Sequence, residues 1–146
     1  PGVVQEDLNL AAKPFGLGFG PDTSTSNRAT IGGMIGNNSS GSESIVHGTT
    51  IDHVLELEVV LADGSQATFS RHTTHAFDAP VQAILREHAR AIAEDYPKHW
   101  RQSGGYRLDR MDPFDLSKLV VGSEGTLAIV TAATVRLVEL PKAKMF

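Results

Sequence analysis

Hydrophobic positions along the chain change their period several times, and each change marks an element. Val3 and Val4 suggest a short strand. From Gln5 to Ala12 the period is helical, with Val4, Leu8, Ala11 and Ala12 on one face. Lys13 precedes Pro14, a position that disfavours helix. Phe15 to Gly20 carries alternate glycines and reads as a tight connection from helix to strand. It does not have the spacing of a dinucleotide-binding glycine motif. Val54 to Ala62 reads as a strand, with Leu55, Leu57, Val59 and Leu61 on one face and Val54, Val60 and two glutamates on the other. Asp63-Gly64 is a type I′ hairpin signal, and Ser65 to Ser70 is the returning strand with Ala67 and Phe69 alternating.

Further on, Asp78-Ala79-Pro80 opens the clearest helix, which ends at Tyr96-Pro97. Val81, Ile84, Leu85, His88, Ile92 and Tyr96 form a single stripe along it. The stripe is expected to pack into the core, with His88 a satisfied interior histidine. Ser42 to Thr50 and Ser103 to Asp115 read as loops. Asp115 to Lys118 predicts one helical turn, and Leu119-Val120-Val121 a short strand. Thr126 to Leu140 predicts a long strand, bent or bulged near Thr131-Ala132-Ala133 and stopped by Pro141. Leu127, Ile129, Val135 and Leu137 share a face if the alternation survives the bend.

The stretch between the first helix and the first long strand breaks every periodic pattern. Pro21 to Gly41 is dense in small hydroxyls, amides and glycines, with little bulk. Serine and threonine hydroxyls both donate and accept. Glycine lets a backbone approach a ligand closely. Thr30 is placed to cap a short helix through Gly33-Met34-Ile35, and unpaired N–H groups at its start would make an anion site. Composition alone leaves two readings open: a polar surface loop, or a wrap around a phosphate-bearing cofactor.

Composition narrows the function classes. The 146 residues suffice for one modest core, and 40% hydrophobic with 21% charged residues fits a soluble globular protein. Net charge is −4, and the arginines and lysines are spread out, so nucleic acid is not an expected partner. The absence of cysteine excludes disulfides, thiolate metal sites and a cysteine-linked flavin within this chain, and is compatible with the cytosol. No apolar run reaches the ~18 residues of a membrane span. His47, His72, His75 and His99 lie in connections without partners at ligand spacing, and no metal site is expected.

The order of the small residues carries more than their composition. Pro21-Asp22-x-Ser24, Thr30-Ile31-Gly32-Gly33, Asn37-Asn38-Ser39-Ser40-Gly41, Gly48 to Val54 and Val59 to Gly64 resemble the FAD-linked oxidases, the flavoproteins similar to vanillyl-alcohol oxidase and the D-2-hydroxy-acid dehydrogenases. Leu119 to Thr131, with Gly122-Ser123-Glu124-Gly125-Thr126, is similar to the segment that closes that family's flavin domain. The resemblance implies an α+β fold, an antiparallel or mixed sheet flanked by helices, forming the larger lobe of the FAD-binding domain. It implies one domain over residues 1–146 that is a fragment, with a first lobe and a substrate cap missing. It implies non-covalent FAD and hydride transfer from a 2-hydroxy acid of the D-lactate, glycolate or D-2-hydroxyglutarate class, the substrate being held by the cap. The isolated piece would then bind FAD weakly or not at all.

The site residues follow by position. Asp22, Thr23, Ser24, Ser26 and Thr30 are candidate donors or acceptors to the cofactor, next to Pro21, and Gly32 and Gly33 allow close approach. Asn37, Asn38, Ser39 and Gly41 match the family segment lying along the flavin. Glu124, Gly125 and Ile129 match the late segment that reaches the adenosine end or ring edge; Glu124 also reads as a turn carboxylate capping its own loop. No residue sits in a catalytic motif, so none is named. Tyr96-Pro97-Lys98 and Gly104 to Asp109 resemble long flavoproteins fused to iron–sulfur modules, which implies such a partner module in a parent chain. The implied location is cytoplasmic, or peripheral to a membrane electron-transfer chain. Two alternatives remain: a non-catalytic nucleotide-binding module, and a flavin oxidase acting on another alcohol.

Overall fold

The computed structural model describes residues 1–99, 102 and 104–141. Helix α1 (Gln5–Ala12) begins directly after the extended Val4. A 3-10 turn over Lys13–Phe15 closes on Gly16 at φ 72°, and β1 (Leu17–Phe19) leaves from there. The glycine-alternating connection therefore holds a strand of its own. It runs back along α1, where Phe19 N–H donates to Asn9 Oδ1 at 2.8 Å.

Three short helices follow: α2 (Ile31–Gly36), α3 (Ser44–His47) and α4 (Thr50–His53). The expected loop from Ser42 to Thr50 thus contains a helical turn. Asp52 fixes the start of α4 by accepting the Thr49 N–H at 2.8 Å. Strands β2 (Val54–Val60), β3 (Gln66–Ser70) and β4 (Ile129–Val135) make an antiparallel sheet in the order β3-β2-β4. A second antiparallel pair joins β1 to β5 (Leu137–Glu139). The fold is α+β with antiparallel sheets, as the resemblance implies.

Bulges revise the predicted strand faces. Leu55 is 49% exposed while Val54 and Leu57 are fully buried. The register shifts between Val54 and Glu56, and such a bulge re-aims the side chain it frees. In β4, Glu58 faces Ala132 and Val59 faces Val130, so Thr131 is the extra residue, inside the predicted bend. Ile129 is 67% exposed, so the proposed Leu127-Ile129-Val135-Leu137 face does not hold. The long strand divides at Arg136, whose N–H donates to His53 carbonyl at 2.7 Å, and the chain passes there from one sheet to the other.

The β2–β3 hairpin is not type I′. Gly64 takes φ 83° but Asp63 does not share its positive φ, as type I′ requires. Leu61 and Ser65 close a three-residue loop, and Asp63 Oδ1 accepts from the Ser65 N–H and hydroxyl at 2.9 and 2.6 Å. The long predicted helix is two, α5 (Asp78–Glu87) and α6 (Ala89–Asp95), broken at His88. Neither buries a residue, and of the stripe Val81 packs on the core while Ile84 is 51% exposed. His88 is at the break and exposed, not interior. The strand predicted at Leu119 to Val121 is mostly helix α7 (Leu116–Val120). Asp115 caps it by accepting the Ser117 N–H at 2.9 Å, and that cap prevails over the β-branched composition. Ser103, which opens the predicted polar loop, lies outside the described residues.

The core lies between α2, α4, α7 and β2, around the buried Met34, Ile35, Ile51, Leu57, Val59 and Val121. The fully buried His53 ring joins its layers. Its nitrogens lie 3.1 and 2.8 Å from the carbonyl oxygens of Arg136 and His47. Among the described residues, no helix is long and apolar enough to cross a membrane.

Candidate functional site

The Pro21 to Gly41 stretch folds as a closed loop followed by a helix. Turn bonds from Ser26 N–H to Thr23 carbonyl and from Ala29 N–H to Thr25 carbonyl compact the loop. Its far end returns to its near end at Gly41. A Cβ on Gly41 would lie 1.5 Å from the Asp22 carbonyl oxygen, so only glycine lets these backbones cross. The adjacent Ser42 N–H donates to that same carbonyl at 3.2 Å.

Thr30 caps α2 as its position predicts, its Oγ1 accepting the Gly33 N–H at 3.2 Å. The expected unpaired amides do not follow. Ile31 and Gly32 N–H groups donate to the Val3 and Pro1 carbonyls, each at 2.8 Å, and Met34 N–H to the Thr30 carbonyl at 2.9 Å. The start of α2 is therefore spent on the strand-like Pro1–Val4 segment and offers no anion site.

The other end of α2 meets the late segment. Gly122 and Glu124 N–H groups donate to the Ile35 and Gly36 carbonyls at 2.9 and 2.8 Å, satisfying carbonyls the helix leaves open. Glu124 adopts φ 53° and Gly125 φ 78°, which turns the chain sharply into β4. Between α2 and this turn runs a groove of about 410 Å³. Thr30, Gly32, Gly33, Gly125 and Ile129 line it, with Pro1, Gly2, Ile35, Gly36, Val120, Ser123, Ala128 and Val130. None of these lining side chains is charged.

The fifteen positions singled out by sequence therefore separate. Five line the groove. Pro21 is buried and Thr23 half-buried, both held by Gln5: its side chain donates to the Pro21 carbonyl and accepts the Thr23 hydroxyl at 2.6 Å. Asp22 and Ser24 are exposed, and Ser26 is half-buried. Asn37 is exposed, and its Oδ1 accepts the Ser39 hydroxyl. Asn38 is buried and ties α2 to α4, its Oδ1 accepting the Ile51 N–H at 2.9 Å, so it organises the interior. Gly41 is buried at the loop crossing and Glu124 is exposed. The apolar floor of the groove escaped sequence reading because Ile35, Val120 and Ala128 look like ordinary core residues. Gln5 escaped it because a glutamine inside a helical period signals nothing.

A larger cavity of about 750 Å³ lies elsewhere, against the ends of β2, β3 and β4 and beside α7. Several of its charged groups are engaged. Arg110 pairs with Asp52, and Lys118 Nζ donates to the Ile51 and Val54 carbonyls, each at 2.6 Å. Burial pushes the Asp52 carboxyl up, but the Thr49 N–H and the Arg110 guanidinium outweigh it and hold it below its ordinary value. Burial pulls the Lys118 ammonium down. None of the residues singled out by sequence lines this cavity, whereas the smaller groove unites two distant segments of them.

Residues 1–70 match the FAD binding domain family. Nearly the whole chain (98%) aligns with D-2-hydroxyglutarate dehydrogenase of Pantoea ananatis at 42% identity, but spans 16% of that protein's length. Glycolate oxidase subunit GlcD of Bacillus subtilis aligns over 99% of the chain at 36% identity, 23% of its own length being covered. In three dimensions, alkyldihydroxyacetonephosphate synthase superposes with a TM-score of 0.59 at 18% identity, covering 97% of this chain and 20% of that one; it shares the fold. With residues 1–70 matching the FAD binding domain family and nearly its full length aligning with these dehydrogenase and oxidase chains, the chain is similar to the FAD-linked oxidases.

Proposed function

We propose that this segment is the FAD-holding part of a flavin dehydrogenase that oxidises a D-2-hydroxy acid. Its relatives support the substrate class: D-2-hydroxyglutarate dehydrogenases, a glycolate oxidase subunit and a D-lactate dehydrogenase. The coverage of 16% supports placing the segment as one lobe of the FAD domain within a longer enzyme, whose other parts complete the cofactor site and carry the substrate cap. A cytoplasmic setting, and an iron–sulfur module in the same enzyme, belong to the same proposal.

The observation that carries the reading is the glycine-walled groove between α2 and the Glu124–Gly125 turn. A Cβ placed on Gly2 or Gly125 meets open space, and one on Gly33 meets only the Thr30 hydroxyl. At these three glycines the wall is open backbone, whereas a Cβ on Gly32 would lie 2.7 Å from Pro1 Cβ, and the floor is apolar. Such a slot fits a flat, uncharged ring system, which FAD has at each end. In this reading Thr30, Gly32, Gly33, Gly125 and Ile129 hold the ring. Asp22, Thr23, Ser24, Ser26, Asn37 and Ser39 supply polar contacts beside it, and Glu124 lies at its rim. Pro21, Asn38 and Gly41 shape the backbone under them. Bound FAD supplies the hydride acceptor; this chain's residues bind and orient it.

Amide chemical-shift mapping with FAD tests the site, and reads weak binding as well as tight. Saturable shifts at Gly32, Gly33, Gly125 and Ile129 are expected, with α5 and α6 unmoved. Shifts confined to the cavity beside Lys118 at millimolar FAD would remove the reading.

A further inference from the structure

The loop that precedes the groove closes on one residue. Gln5 is fully buried at the first position of α1. Its side-chain Nε2 donates to the Pro21 carbonyl, and its Oε1 accepts the Thr23 hydroxyl at 2.6 Å. Its backbone N–H donates to the Ala29 carbonyl at 2.8 Å. One residue therefore grips both ends of the Pro21–Ala29 loop. The next N–H, of Glu6, takes the Ser26 carbonyl at 3.0 Å from the middle of the loop. One helical turn later, Asn9 Oδ1 accepts the Phe19 N–H, so α1 presents two amides to consecutive stretches of the same backbone. Thr30, the cap of α2 and a wall of the groove, follows Ala29 directly.

We infer that Gln5 is a positioning residue for the cofactor: without touching FAD, it sets the loop hydroxyls and the entry to α2 that FAD meets. The inference rests on the FAD reading above. Both halves of the glutamine amide are needed. A methionine of similar volume keeps the packing and leaves the buried Pro21 carbonyl unpaired. A glutamate keeps the acceptor for Thr23. It regains a donor toward Pro21 only when protonated, because an ionised carboxylate only accepts. Burial raises a carboxyl's pKa above its ordinary value of about 4.3, so the switch falls in an accessible range.

The test compares wild type, Gln5→Met and Gln5→Glu across pH 5 to 8, by FAD-induced shifts and by amide hydrogen exchange. In Gln5→Met the FAD affinity should fall about tenfold or more, the equivalent of one or two lost hydrogen bonds. Exchange at Ser26 and Ser42 should quicken while that of Leu57 and Val59 in β2 is unchanged. Gln5→Glu should bind poorly at pH 8 and regain affinity toward pH 5, where wild type stays flat. Gln5→Met binding as wild type does, or β2 exchange quickening in step with lost affinity while Gln5→Glu stays flat with pH, overturns the inference. If wild type shows no FAD shifts, the loop clamp is judged on exchange alone. Selective quickening at Ser26 and Ser42 sustains the clamp, and no change overturns it.

Discussion

Gly41 is where a single hydrogen atom decides the loop's path. The nearest atoms to its missing Cβ are backbone, the Asp22 carbonyl oxygen and carbon at 1.5 and 2.1 Å, which no rotamer change relieves. Gly41→Ala should therefore cost about 3 kcal/mol, the upper end of overpacking penalties, read as a lower urea midpoint. Gly125→Ala meets no atom within 4 Å, and its cost should be limited to the strain of φ 78°, about 1 kcal/mol. The family motif located both glycines in the sequence, but could not rank them. That ranking depends on which backbone lies opposite, and residues Asp22 and Gly41 meet only through the fold.

At the scale of elements, the Thr30 cap was legible and faces less so. Thr30 caps the helix that follows it, since the capping hydroxyl acts within three residues, while Asp115, read as part of a helical turn, is the cap of α7. The α5–α6 stripe was misread because periodicity reports that a helix has an apolar side, not that something covers it. Ile84→Ser should then change stability by less than about 0.5 kcal/mol, as exposed substitutions do. Leu57→Ala, at a fully buried position of β2, should cost about 2–5 kcal/mol. Thermal unfolding of the two variants separates them; equal losses would return the stripe to the core. Strand faces failed at Leu55 and Ile129 for another reason. A bulge breaks the period of two, and bulge positions are set by the partner strand's register rather than by local sequence.

For the molecule as a whole, the cofactor class was readable and the groove was not. Ordered motifs pointed to a flavin, while the pairing of α2 with the Gly122–Glu124 turn needs contacts between residues about ninety positions apart. That pairing occupies carbonyls at the end of α2, and the Pro1 and Val3 carbonyls take the amides at its start that sequence reading assigned to phosphate. A consequence concerns ionic strength. Binding that rests on ion pairing weakens steeply as electrolyte is added, because counterions screen it. Here no side chain among the described residues that line the slot is charged. With the Pro1 amine blocked by acetylation, raising sodium chloride from 50 to 500 mM should shift the affinity of plain adenosine for this chain by less than about twofold, and AMP should gain little over adenosine. A slot of this kind would select thickness and flatness, not charge.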